Sequence, residues 1–449
     1  MRILLVANGF PPDSTHGTEM YTYNLARALQ EAGETVHVFF PVDRGLTAYE
    51  RMAGEYHGIP YTAMQRQTEP PSDLRYYYNN PAVDPVFLLV LNTFKPDLVH
   101  FTYVLMGLSA SLITWAKKTG LPTVVTLTDV HFPCMRGQLL DTNDELCAGP
   151  EGGARCSRVC FAHAQFPLDD ASLLPEGAVV TDVWSSRYVG INPLVLRDRY
   201  LRTVLRSVDR VIAPTAWIRD VLTRWGIPPD LIYEAEYGID DHVHRGYTHH
   251  PADHIRVGFI GQLLPHKGPQ ILFEAFGACD DPTAELKVYG DEQYGPARQF
   301  LRSIVRHTTD ARIRFCGTFP HDRIGEVLSE IDVLVIPSIW HENSPLVLRN
   351  AVAMNTPVIV SNTEGMRPYV HHMGNGLLFA VGDVDDLYLK LQMVLDNPEL
   401  LDAFRRYDVA TTTIEEDAAR LIRLYATLRD DGCAAGPNSQ APSSTIVRD

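Results

Sequence analysis

Two loops in the second half of this 449-residue chain carry residue types suited to gripping an anion. In the first, Ile336-Pro337-Ser338-Ile339-Trp340-His341-Glu342-Asn343-Ser344-Pro345-Leu346, an apolar strand ends near Ile336. Ser344 is a good N-cap and Pro345 suits the first helical position. The free N–H groups of such a helix start face the strand ends and suit a phosphate or pyrophosphate. Glu342 stands just before them; next to a bound anion a carboxylate is unfavourable, unless it binds something else, such as sugar hydroxyls. The competing reading is an ordinary capped helix with an exposed Glu. The second loop is Gly261-Gln262-Leu263-Leu264-Pro265-His266-Lys267-Gly268. It places Lys267 at a helix start, where the dipole disfavours a cation. An anionic partner would explain it; plain solvation of Lys267 is the alternative. Gly261 permits close backbone approach. Two weaker loops follow other strands: Tyr289–Gly295, and Cys316-Gly317-Thr318-Phe319-Pro320, whose Phe319 ring suits packing on a nucleobase.

A different chemistry is concentrated in the first half. Cys134, Cys147, Cys156 and Cys160 place four of the chain's seven cysteines within one short polar, Gly-rich stretch. Such a segment cannot build a core, so a tetrahedral thiolate site would organise it. Zinc is the default ion, and an iron–sulfur cluster also uses four thiolates. Reduced structural cysteines or two disulfides are the alternatives. The expected role is structural, shaping one side of a cleft. The pairs His249-His250 and His371-His372 read as solvated loop residues, since sequence neighbours rarely share a helix face.

The elements that must position these loops alternate in type. Short, continuously apolar runs at Ile3–Ala7, Thr35–Phe40, Asp97–Phe101, Pro122–Leu127 and Asp209–Ala213 are separated by helical spacing, such as Tyr21, Leu25, Ala28 and Leu29. The pattern breaks at 242–254, a polar, His-rich stretch read as a linker. It restarts with Ile255–Ile260, Glu285–Tyr289, Arg312–Phe315, Val333–Ile336 and Pro357–Ser361, and a helix near Val384–Leu395. Continuously apolar strands alternating with helices predict parallel sheets covered on both faces. The fold class is therefore α/β, with two doubly wound Rossmann-like domains, 1–241 and 255–412, facing a cleft. The cysteine-rich insertion covers about 130–165. Thr413 caps a last helix at 413–429 with Glu415 and Glu416 in its first turn. The tail 430–449 reads as disordered.

Composition narrows the function classes. Apolar residues make up 45% and charged residues 21% of the chain. A net charge of −16 repels phosphate backbones, so nucleic acid is not an expected partner. No apolar run is long enough to span a membrane, and the N-terminus lacks signal-peptide features. A cytoplasmic protein is expected. No G-x-G-x-x-G follows the first strand, which argues against an NAD-linked oxidoreductase.

Gly261–Gly268 and Pro337–Ala351, followed by Pro357-Val358-Ile359-Val360-Ser361, resemble the donor-binding half of the family-4 retaining glycosyltransferases with the GT-B fold. The first half is similar in Gly17-Thr18-Glu19, in Ala213-Pro214-Thr215 and in Tyr237-Gly238-Ile239-Asp240. The resemblance covers roughly residues 1–430 and is weakest at 45–95 and 134–195. It implies transfer of a sugar from a nucleotide diphosphate sugar to an acceptor hydroxyl, with retained configuration and without a required cofactor or divalent metal. By that resemblance Glu342 contacts the donor sugar and Lys267 neutralises the diphosphate. Amides near Ser344, Leu346 and Val347 hold it, and Gly261, Gln262 and Phe319 complete the donor side. Gly17 and Thr18 line the acceptor side, and the last helix crosses back onto the first domain. A family histidine that contacts the donor sugar falls in Thr128-Asp129-Val130-His131, making Asp129 and His131 candidates; an ordinary loop histidine is the alternative for His131. Three positions depart from the family pattern. Asn350 replaces a ribose-binding Glu, Gln262 an arginine, and Pro368 a further Glu. The acceptor is a glycan, a lipid-linked glycan or a small molecule; a lipid-linked one would bring peripheral contact with the inner membrane face. A sugar-nucleotide epimerase and a non-catalytic nucleotide-sugar-binding protein are the rival readings.

Overall fold

The computed structural model describes residues 1–69, 71, 73–162, 179–304 and 309–434. The first half forms an eight-stranded sheet in the order β3-β4-β2-β1-β5-β6-β7-β8. Its strands are β1 (Arg2–Val6), β2 (Thr35–Val42), β3 (Arg51–Tyr56), β4 (Ile59–Gln65), β5 (Leu98–Phe101), β6 (Thr123–Thr126), β7 (Arg210–Ala213) and β8 (Ile232–Glu234). All pairings are parallel except β3 with β4. The second half is a six-stranded, all-parallel sheet, β11-β10-β9-β12-β13-β14. Its members are β9 (Arg256–Ile260), β10 (Glu285–Tyr289), β11 (Ile313–Gly317), β12 (Val333–Ile336), β13 (Val358–Ser361) and β14 (Gly376–Phe379).

Burial explains why the central strands were visible in sequence. Ile3, Leu4, Leu5 and Val6 are all fully buried, because helices cover both faces of a doubly wound sheet. Four strands toward the sheet edges escaped the reading, β3, β4, β8 and β14, and β8 spans only three residues. Along β3 exposed and half-buried residues alternate, so no continuous apolar run marks it. β4 contains Pro60, and β14 begins at Gly376, both weak strand formers.

The two halves are joined twice, side by side. The chain leaves the first sheet after β8, and Ile239 forms a parallel bridge with Thr413 where it returns. The last helix, Ile414–Ala434, then packs against the first-half helix Gly17–Glu31. Ile414, Ala418, Leu421, Tyr425 and Leu428 enter the same core as Ile3, Leu5 and Leu25. Thr413 caps the helix by accepting from Glu416 N, and Glu416 returns a bond to Thr413 N, a capping box. The helix runs five residues further than the sequence reading allowed, so 430–434 are helical rather than tail. The rest of that tail lies outside the described residues. His249 also departs from its reading. It joins Arg256 and Arg405 around the Asp332 carboxylate, 2.5 Å from Oδ1, a contact made across 83 residues that no local pattern reveals. His250, His371 and His372 are exposed or nearly so.

Candidate functional site

The two donor-side loops meet. Lys267 Nζ donates to Glu342 Oε1 at 2.7 Å, and Ser338 Oγ and Trp340 Nε1 reach the same oxygen at 2.6 and 2.9 Å. Glu342 is only 4% exposed, so the exposed-carboxylate reading is excluded. Burial alone would raise its carboxyl. The Lys267 charge, with hydrogen bonds from Lys267, Ser338 and Trp340, outweighs burial and holds it below the usual carboxylate range. The ammonium also lies 4.9 Å from the centre of the Trp340 ring. Lys267 is thus paired to Glu342 rather than left free, and its remaining N–H groups are available to an anion.

Two glycines make this approach possible. Gly268 has φ +72°, and a Cβ there would sit 1.9 Å from the Pro337 carbonyl oxygen. A Cβ on Gly365 would sit 1.4 Å from the Glu342 carbonyl oxygen. Both loops therefore press backbone against backbone at positions closed to other residues. Gly261 is different: a Cβ there would meet nothing nearer than 3.6 Å, so packing within the chain does not require it.

The helix start differs from expectation in detail. The helix spans Leu346–Ala353, and Pro345 is the capping residue, with no side-chain cap. Ser344 instead takes φ +55° and bonds Tyr369 Oη at 2.9 Å, so its hydroxyl is diverted from capping. The amides of Leu346 and Val347 belong to the first turn, which has no carbonyl partners within its own helix. Asn350 is buried and engaged at both ends. Its Nδ2 donates to Leu346 O, and its Oδ1 accepts from His244 Nε2, each at 2.7 Å. Burial lowers the His244 pKa, partly offset by this bond. Gln262 is exposed, and Phe319 packs edge-on against Tyr289 at 5.5 Å.

On the opposite side, Asp129 and His131 form a pair, Oδ2 to Nδ1 at 2.5 Å. Each side chain is about 20% exposed. They line a small recess with Thr102, Tyr103, Thr128 and Phe132. Gly17 and Thr18 open the helix Gly17–Glu31. Its Glu19 is buried and bonded to Asn8 and Ser14. Burial would raise Glu19, but His16 and Ser14 hold it lower.

Residues the sequence reading missed connect the two sides. Asn343 Nδ2 donates to Leu127 O at 2.8 Å, at the end of β6. His341 stacks on Trp217 at 4.9 Å. Arg349, fully buried, donates to Tyr237 O and lies 3.5 Å from Glu236. An arginine inside the mainly apolar helix Leu346–Ala353 is a local signal that points to such a partner. The donor-side cluster thus sits across a seam from Leu127, with Asp129 and His131 following two and four residues later.

The cysteines are brought into one region but not into a closed ligand shell. All four are free thiols. Among the described residues, no three of their sulfurs lie within 4.8 Å of one another.

Residues 243–409 match the family model described as "Glycosyl transferases group 1", and residues 16–233 the one described as "Glycosyl transferase 4-like domain". A D-inositol 3-phosphate glycosyltransferase of Geodermatophilus obscurus is 26% identical over 55% of this chain and 58% of its own length. Matches to such curated relatives cover between 30% and 64% of those proteins. Among solved structures, Anabaena HepE in complex with UDP and glucose superposes with TM-score 0.64 at 16% identity, over 95% of this chain and 99% of that one. Sucrose-phosphate synthase from Thermosynechococcus elongatus gives TM-score 0.67 at 18% identity, over 96% and 99%.

Proposed function

The chain belongs to the family-4 glycosyltransferases with the GT-B fold, and from that premise we propose that it moves a sugar from a nucleotide diphosphate sugar to an acceptor hydroxyl with retention of configuration. The observation that carries the reading is the convergence of Lys267, Glu342 and the start of Leu346–Ala353 on one side of the interlobe seam. The diphosphate takes the free N–H groups of Lys267 and the amides of Leu346 and Val347. Their charge stabilises the leaving group as the C1–oxygen bond breaks. Glu342 keeps one oxygen on Lys267, Ser338 and Trp340, and its other oxygen orients the sugar. The acceptor oxygen bonds to C1 on the face the diphosphate leaves, and its proton passes to the departing phosphate oxygen. Asp129 and His131 flank the sugar from the first lobe, and Gly17 and Thr18 lie on the acceptor side. Closure of the lobes excludes water from the cationic C1.

The HepE structure contains UDP and glucose, which supports the nucleotide diphosphate sugar class for the donor. Acceptors in glycan or glycoconjugate synthesis fit the reading. Among the described residues, no helix is long and apolar enough to cross a membrane. Binding without turnover is the second reading, favoured by the commitment of Asn350 to His244. The test is a thermal-shift screen with UDP, GDP, ADP and their sugars, followed by transfer assays with the stabilising donor. Product bearing the donor's own anomeric configuration supports the proposal. Stabilisation with no donor consumption across an acceptor panel supports the second reading, and inverted product overturns retention.

A further inference from the structure

Cys134, Cys147, Cys156 and Cys160 lie apart from the Lys267–Glu342 pair, and the transfer reaction uses none of them. The chain folds deliberately to gather them. Leu140 and Leu146 form an antiparallel bridge, which returns Cys147 to donate its N–H to Leu139 O at 2.7 Å. Cys134, buried in the first-lobe core, opens that loop. Cys156 and Cys160 begin and end one short helical turn, whose Ser157 accepts from Asn192 at 2.8 Å. Cys134 lies in the first-lobe core and Cys147 packs against that same core, and Cys156 has Cys134, Cys160 and Cys147 for neighbours, with Arg197 beside it.

Arginines surround this group, and their carboxylate partners are scarce. Arg197 is 4% exposed and gives two N–H groups to the carbonyls of His131 and Phe132. Its Nε has no partner, and it forms no ion pair among the described residues. Asp198, beside it in sequence, is committed to Arg202 and Trp225. The charge of Arg197 acts on Cys134 and Cys156. Arg155 is a neighbour of Cys147, and Arg136 of Cys160. Arg155 has Asp141 at 3.7 Å. A buried guanidinium beside the neutral thiols of Cys134 and Cys156 has only Asp198, itself paired to Arg202, as counter-charge, which is costly. Beside a metal tetrathiolate it has one of its own.

We propose that Cys134, Cys147, Cys156 and Cys160 bind one zinc ion, and that this ion fixes the cleft wall at His131 and Phe132 through Arg197. Four S–H groups lose their protons to solvent, four Zn–S bonds form, and the centre carries a net charge of −2. Arg136, Arg155 and Arg197 balance it. Zn–S bonds of about 2.3 Å draw tetrahedral sulfurs to about 3.8 Å from one another, so metal closes a shell that the free thiols leave open. The same loop carries Arg136, whose charge is also felt at His266, next to Lys267. Zinc thereby holds a first-lobe cation toward the donor loop, where Gln262 supplies none.

The experiment is elemental analysis of the full chain purified without chelator, with zinc release followed colorimetrically as a mercurial reagent titrates the thiols. About one zinc per chain, released as four thiols react, supports the proposal. Cys156→Ser and Cys147→Ser should each lower zinc content at least about tenfold, while Cys279→Ser and Cys316→Ser retain it. Where a ligand variant fails to fold, the titration of the unaltered protein decides. Less than about a tenth of a zinc per chain overturns the proposal. So does zinc retained in the folded Cys156→Ser and Cys147→Ser variants, or iron with acid-labile sulfide in place of zinc.

Discussion

Replacing Lys267 with Ala removes the cation that faces a carboxylate only 4% exposed. Ser338 and Trp340 still donate to Glu342, but the charge is uncompensated. Breaking a fully buried ion pair costs about 3–5 kcal/mol. The Lys267 side chain is 23% exposed, so water screens the pair and about 1–2 kcal/mol is the appropriate scale. For a lobe of this size that lowers Tm by about 3–6 °C. The pH dependence identifies the cause. In the unaltered protein Glu342 sits below its ordinary value of 4.5, so its stabilisation is present above that value and is lost as pH falls through the lowered one. In Lys267→Ala burial acts with less opposition and the Glu342 pKa rises. The penalty is then largest near neutral pH and is relieved as acid protonates the carboxyl. The Tm gap between the two proteins should therefore shrink steadily from pH 7 toward pH ~4.5. Lys267→Met keeps the stem over Trp340 and loses the charge, so it should show the same trend. Scanning fluorimetry across pH measures all three proteins. A gap that is constant with pH for both variants would refute the electrostatic account.

Transfer should be more sensitive than stability: Lys267→Ala and Glu342→Ala should each lower kcat/KM by about 10²–10³ while circular dichroism stays native, and near-normal turnover in both removes the site assignment. Asn350→Glu places a carboxylate where His244 now bonds an amide. Tighter donor binding in calorimetry supports a ribose role, and unchanged affinity counts against it. His37, His100 and His266 are held neutral by burial, at about 4, 3 and 4 respectively. These lowered values make stability complete above the unfolded value of about 6.5 and decline as pH falls below it, by up to ~1.4 kcal/mol per pH unit for each. His100→Gln should flatten that decline in acid Tm scans; an unchanged slope rejects the assignment. Arg349→Met removes the buried guanidinium joining the second lobe to Tyr237 O and Glu236. It should leave the donor-induced Tm shift in place but lower Tm by several degrees; no loss of Tm shows that the strap is energetically idle.

Much of the architecture was legible locally. The central strands are apolar on both faces because helices cover both faces, and that condition is written residue by residue in runs such as Ile3–Val6 and Val333–Ile336. The donor-side loops were legible because Lys267 stands where a helix start disfavours a cation, and Glu342 where an anion bound beside it would repel a carboxylate. A residue that is locally wrong points to a partner elsewhere. What those residues could not disclose is that they answer one another, since 75 residues separate them and only the adjacency of β9 and β12 brings them together. The same limit diverted Ser344 from capping to a tyrosine 25 residues away, while alternating exposure along β3 left no apolar run to read. It also hid Asn343, Trp217 and Arg349 at the seam. Sequence determined which elements form and which side chains need a distant partner, because periodicity and helix-end electrostatics act within a few residues. Tertiary structure alone decided which partner each received, because charge pairing and close packing depend on distance in space, not along the chain.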